Sequence, residues 1–304
     1  MTIQEMQNEI LRLKKEKDVF ILAHSYERHE ITEIADVVGD SYRLACAVKN
    51  VPNKTVLLCG VRFMAETVKI LSPEKRVLLS HSEAGCPMAD GLSGETLRML
   101  QKQHPNAVTV AYINTTAEVK ALSDVCVTSS SAVRVISRLP EKEILFVPDK
   151  NLGSYCQKQL PDKAFYFFNG GCPIHMNASL HDVEHQKAEH PNALLLVHPE
   201  CFQEVAEQAD YVGSTSGIME FVRASTHDEF IIGTDNSIRE HLEFEFPDKK
   251  FYPLSKKLLC VNMRLTTLKN VYDCLTGGGE EITLDEPLRL AAKKCIDRMI
   301  SLGG

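Results

Sequence analysis

Val19-Phe-Ile-Leu-Ala-His24, a helix-like interval, and then Ala35-Asp36-Val37-Val38-Gly39-Asp40-Ser41 form the stretch that decides the fold, because the pattern recurs twice. The second copy is Val108-Thr-Val-Ala-Tyr112, followed by Ser123-Asp124-Val125 and Thr128-Ser129-Ser130. The third is Leu194-Leu-Leu-Val-His198, followed by Ala209-Asp210-Tyr211-Val212-Gly213-Ser214-Thr215-Ser216. His24 to Asp36, Tyr112 to Asp124 and His198 to Asp210 each span 12 residues, and the residues ending the first runs stand 88 and 86 apart. Two further runs keep this frame. Val56 to Gly60, Ile144 to Pro148 and Phe230 to Thr234 form one set, and Arg76 to Ser80, Ala164 to Phe168 and Lys250 to Pro253 the other. Short β-rich runs alternating with helical patterns point to small parallel α/β sheets. A shared period of this length marks an internal repeat.

The expected architecture is therefore α/β, with three homologous small parallel-sheet domains around a pseudo-threefold axis. The expected divisions are 1–104 with an N-terminal helix, 105–190, and 191–304 with a C-terminal helix. The first helix reads from the spacing of Ile3, Met6, Ile10 and Leu13. The last reads over Leu284 to Ser301 from Leu288, Ala291, Ala292, Cys295 and Met299.

Composition narrows the function. The chain has 304 residues, 44% apolar and 25% charged, as in ordinary globular proteins. By length alone about two domains would be expected, so the third comes from the repeat. A net charge of −7 argues against a nucleic-acid partner. No run approaches the ~20 apolar residues of a membrane span, and the N-terminus lacks the apolar core of a signal peptide. The expectation is a cytoplasmic chain, where disulfides are rare.

Ten cysteines then need a reading. No C-x-x-C pair is present, so ribbons and thioredoxin-like motifs find no support. Cys86, Cys172 and Cys260 stand 86 and 88 residues apart, each a few residues beyond the last strand of its repeat. Three thiolates meeting on one axis would make a metal site. By spacing alone it could be iron–sulfur or zinc, and the plain alternative is turn chemistry around buried, inert thiols. In a 4Fe–4S cluster, three cysteines leave one iron open, able to act as a Lewis acid.

The loops after the first strands occupy matched places: His24-Ser25-Tyr26, Tyr112-Ile113-Asn114 and His198-Pro199-Glu200. The second loops add Ser41, Ser129 and Thr215. Singly such residues are mostly caps and turns. Matched three times at strand ends, they point to a shared pocket for carboxylates or phosphate.

In this order and spacing the motifs resemble the quinolinate synthase family over nearly the whole chain, from about Asp18 to Met299. The matching pieces are Ala23-His24 with Tyr26, Gly39-Asp40-Ser41, Gly85-Cys86, Tyr112-Ile-Asn114 and Thr128-Ser129-Ser130. They continue with Gly171-Cys172-Pro-Ile-His175, His198-Pro-Glu200-Cys201, Gly213-Ser-Thr-Ser-Gly217, and Cys260 with Asn262-Met263. The resemblance implies a 4Fe–4S cluster on Cys86, Cys172 and Cys260 with one open iron. It implies condensation of iminoaspartate (iminosuccinate) with dihydroxyacetone phosphate to quinolinate, phosphate and water. Tyr26, Glu200, Tyr112 and His198 are the implied acid–base set. His24, Ser41, Tyr112, Ile113, Asn114, Ser129, His175, His198, Pro199, Glu200 and Thr215 are the implied substrate contacts. L-aspartate oxidase and the iron–sulfur assembly machinery are the implied partners.

Four departures stand out. The family often has Tyr where this chain has Ser25, Gln where it has Glu27, Pro where it has Val261, and Asn at the end of the Ser129-Ser130-Ser131 run. Two other classes fit the cysteines. A hydro-lyase would turn over a single hydroxy acid without a triose phosphate. A redox or zinc-sensing protein would have no need of the matched His, Tyr and Glu loops.

Overall fold

A computed structural model describes residues 1–303. Each repeat forms a parallel sheet. The first contains β1 (Val19–His24), β2 (Val37–Gly39), β3 (Thr55–Cys59) and β4 (Arg76–Leu79). The second contains β5 (Val108–Tyr112), β6 (Val125–Val127), β7 (Glu143–Val147) and β8 (Ala164–Phe167). The third contains β9 (Leu194–Val197), β10 (Tyr211–Val212), β11 (Glu229–Gly233) and β12 (Lys250–Pro253). The order is β2-β1-β3-β4, β6-β5-β7-β8 and β10-β9-β11-β12. The central strands are buried on both faces, which is why they read as unbroken apolar runs rather than alternating ones.

The register is the same in all three sheets. Leu22 lies opposite Leu58, Val110 opposite Phe146 and Leu196 opposite Ile232. Leu57, Leu145 and Ile231 face Leu78, Tyr166 and Tyr252. Two polar clamps repeat with it. Asp36, Asp124 and Asp210 each accept the backbone N–H of Ile21, Thr109 and Leu195 at 2.8 Å. In return each aspartate N–H donates to the carbonyl of that same residue. Lys75, Lys163 and Lys249, just before the last strands, each donate Nζ at 2.6–3.0 Å to two carbonyls in the stretch leading into the middle strand. The clamps satisfy backbone groups that would otherwise lack partners.

The stretch expected to close the third repeat leaves it. Helix Leu268–Leu275 packs on the N-terminal helix Ile3–Glu16. Gly277 and Gly279, at φ +111° and +89°, then turn the chain in a conformation that suits glycine. This brings β13 (Glu280–Glu281) antiparallel onto β4 of the first sheet. The final helix, Glu286–Ser301, lies across helix Ala117–Leu122 and β6 of the second repeat and touches helix Arg62–Leu71 of the first. Its Ala292, Cys295, Ile296 and Met299 are buried in one continuous core shared by the first two sheets. Cys295 Sγ sits 3.1 Å from Cys126 Sγ of β6. Among the described residues, no helix is long and apolar enough to cross a membrane.

Candidate active site

Parallel strands deliver their C-terminal ends to one side, and here three such sides face one cavity of about 300 Å³. From the first repeat come His24, Tyr26, Ser41 and Cys86; from the second Tyr112, Ile113, Asn114, Ser129, Cys172 and His175; from the third His198, Glu200, Thr215 and Cys260. Pro199 is the exception among the expected contacts. It lines a separate small cavity with Asn151, Tyr155 and Cys201. Residues 198–201 form a turn closed by the Cys201 N–H donating to the His198 carbonyl at 3.0 Å, and it places His198 and Glu200 on the shared cavity and Pro199 on the smaller one.

The two matched histidines are held alike. His24 Nδ1 accepts the N–H of Tyr26 at 3.1 Å, and His198 Nδ1 accepts the N–H of Glu200 at 3.3 Å. This leaves Nε2 as the protonated nitrogen of each neutral ring. Burial holds His24 down to about 4 against the pull of Asp40 and Glu200. It holds His198 down to about 3 against that of Glu200. Both are neutral donors at neutral pH.

Glu200 is the charged centre. Burial pushes its carboxyl up, but the His198 and His175 imidazoles and hydrogen bonds from His175 and Tyr112 bring it to about 2. His175 Nδ1 lies 2.8 Å from Glu200 Oε2. On its other side His175 Nε2 meets the Thr234 hydroxyl at 3.0 Å. Thr234 Oγ1 is 3.0 Å from Tyr26 Oη, which is 2.8 Å from Thr215 Oγ1. Burial first, then Glu200, raises the Tyr26 and Tyr112 phenols well above their ordinary value, so both stay protonated.

The cysteine loops also repeat in detail. The backbone N–H three residues on, of Ala89, His175 and Met263, pulls the thiols of Cys86, Cys172 and Cys260 down. Burial nevertheless pushes all three thiols up, Cys86 to about 12. A buried thiolate set with N–H donors on sulfur is what a bound cluster requires, because the metal's positive charge offsets the burial. Each cysteine N–H in turn donates to a carboxylate: Asp90 at 2.9 Å, Asp149 at 3.0 Å and Asp235 at 2.7 Å. All three cysteines line the one cavity, and three thiolates there would suit a metal cluster. A narrower grouping is also present. Ligand atoms of Cys172, His175 and Glu200 lie within 4.8 Å of one another.

Sequence reasoning passed over Thr234, Asp149, Asp235 and Asp40. The repeat held a signal for the two aspartates. Val61, Asp149 and Asp235 stand 88 and 86 apart, so a carboxylate recurs at the end of the middle strand in two repeats. Asp40 accepts from Ser216 Oγ at 3.2 Å across the first and third repeats, a contact visible only in three dimensions.

The family described as "Quinolinate synthetase A protein" matches residues 8–301. A quinolinate synthase of Clostridium perfringens is 48% identical over 300 residues, covering 99% of this chain and all of that protein. One of Caldicellulosiruptor bescii is 46% identical over 303 residues, covering both chains entirely. One of Methanoregula boonei is 46% identical over 297 residues, 98% of each chain.

Proposed function

The chain belongs to the quinolinate synthase family, and from that premise we propose that it condenses iminoaspartate with dihydroxyacetone phosphate to give quinolinate, phosphate and water. The observation that carries this reading is one cavity lined at once by three cysteines and by the His24, Tyr26, Tyr112, His198 and Glu200 set. Cys86, Cys172 and Cys260 would hold a 4Fe–4S cluster. When bound, it supplies an open iron that polarises a substrate oxygen or nitrogen.

The side chains divide the remaining work. The substrates carry two carboxylates and a phosphate, and these anions need donors. His24 and His198 offer Nε2–H. Ser41, Asn114, Ser129 and Thr215 offer hydroxyl and amide hydrogens. Formation of the enamine, isomerisation of ketone to aldehyde, ring closure by nitrogen and loss of water all move protons. Glu200, ionised and buried, is assigned as the acceptor. Tyr112, hydrogen-bonded to Glu200, and Tyr26, linked to it through Thr234 and His175, are assigned as the exchange partners. His175 is assigned to hold the Glu200 carboxylate in place. The imine would come from an L-aspartate oxidase.

Anaerobic purification with iron and sulfide counted beside a quinolinate assay tests the reading. About four irons and four sulfides per chain are expected, with quinolinate formed only when both substrates are present. Cys86→Ala, Cys172→Ala and Cys260→Ala should each lose the cluster; a variant retaining it with unchanged absorption removes that cysteine from the ligand set. Glu200→Gln should keep the cluster and lose turnover by about a hundredfold or more; wild-type turnover takes Glu200 out of the mechanism. A second reading follows from the Cys172, His175 and Glu200 grouping, whose thiolate, imidazole and carboxylate suit a single zinc ion. One zinc and no sulfide in the same sample would favour it.

A further inference from the structure

One polar group behind the cavity lining, bonded to Tyr26 and His175, has no counterpart in the other repeats. Gly60, Pro148 and Thr234 hold the same place after the middle strands, 88 and 86 residues apart. Two of the three copies carry no hydroxyl there. The third carries one, and it is fully buried. Its Oγ1 is the meeting point of two groups from other repeats: Tyr26 Oη at 3.0 Å from the first and His175 Nε2 at 3.0 Å from the second.

His175 Nδ1 lies 2.8 Å from the Glu200 carboxylate and 3.3 Å from Cys172 Sγ. The Thr234 hydroxyl has one hydrogen to give and lone pairs to accept with, so it can pair with His175 Nε2 and Tyr26 Oη at once. Tyr26 Oη also lies 2.8 Å from Thr215 Oγ1. A residue without a hydroxyl at this place would leave His175 Nε2 unpaired in a buried wall and release the phenol to turn.

We propose that Thr234 is a positioning residue of the proposed quinolinate synthase reaction, tying the hydroxyl of Tyr26 to the His175–Glu200 pair and so fixing where the phenol oxygen stands in the cavity. The inference rests on the function proposed above. It predicts that a methyl in place of the hydroxyl damages turnover without damaging the protein, and that Tyr26 and Thr234 act as one unit.

The test uses the cluster-loaded protein. Thr234→Val is close in shape and lacks the hydroxyl. Thr234→Ser keeps it. Thr234→Val should lower kcat about tenfold, the worth of one well-placed hydrogen bond, with KM changed far less. Thr234→Ser should recover most of the loss. Both should keep the wild-type iron and sulfide content, absorption spectrum and Tm. Adding Thr234→Val to Tyr26→Phe should cost little beyond Tyr26→Phe alone, because the two share one interaction. Wild-type kcat in Thr234→Val overturns the inference while leaving the proposed function intact. So does an equal loss in Val and Ser accompanied by a fall in Tm, which makes the residue merely structural. Strict additivity with Tyr26→Phe overturns it as well. Wild-type protein that carries the cluster yet makes no quinolinate overturns the proposed function, and this inference with it.

Discussion

Glu27 is the residue whose chemistry is least reconciled with its surroundings. It is fully buried beside the Tyr26 loop, and both its carboxylate oxygens lack a partner among the described residues. Thr266 is nearby, with its hydroxyl already shared with Ser80. Burial raises the carboxyl to about 8, against weaker pulls from Thr266, Arg264 and Arg28. The folded chain therefore holds this proton more tightly than the unfolded chain. The sign follows: the position costs nothing below the ordinary value of 4.5, costs progressively more as pH rises towards about 8, and no more beyond that. Glu27→Gln, the amide frequent in the family at this place, removes that cost. Thermal unfolding at pH ~9 should show a clearly higher Tm for Glu27→Gln than for wild type, and a scan at pH ~5 a small difference. A gain of equal size at both pH values would show that ionisation is not the cause. The sequence displayed this residue as a departure, but its burial depends on Arg264 and Thr266 of the third repeat, which no local pattern brings near.

At the scale of elements, the three sheets were legible because each strand had to be read three times over. The spacing that recurs in the sequence is the register itself, and the middle strands begin one residue before the apolar run suggested, at Thr55, Glu143 and Glu229. The cysteine and histidine loops were legible for the same reason. What has no repeat partner was not. The final helix was readable as a helix from its apolar stripe, but a stripe does not say which core it meets, and it meets that of the first two sheets. Pro199 lies outside the cavity lining, since a three-residue motif does not show which side each residue faces. The lysine clamps were not noticed, although Lys75, Lys163 and Lys249 keep the 88 and 86 spacing. Lys163→Met tests their worth. It removes two charged hydrogen bonds to Leu139 and Glu141 carbonyls and should cost about 1.5–3 kcal/mol. Urea unfolding should show a lower midpoint at unchanged slope. An unchanged midpoint would mean that water replaces the ammonium without loss.

At the scale of the whole molecule, no repeat stands alone. The cavity draws side chains from all three, and the first two sheets share one core. The terminal segment fastens them. Ile296 and Met299 are fully buried in that core, and together they are worth about 3–6 kcal/mol of apolar burial, comparable with the ~5–15 kcal/mol net stability of a typical domain. Ending the chain after Gly279 should therefore abolish cooperative unfolding by circular dichroism and expose dye-binding apolar surface; a sharp transition near the wild-type Tm would show that the helix is dispensable. The same geometry dictates an order of events on the ribosome. The strand that completes the edge of the first sheet and the helix that roofs the second are made only after all three sheets. Until they emerge, the nascent protein holds two sheets with an open border and an uncovered face, which are the surfaces through which unfinished chains stick to one another. The interval of vulnerability thus outlasts the synthesis of the sheets themselves.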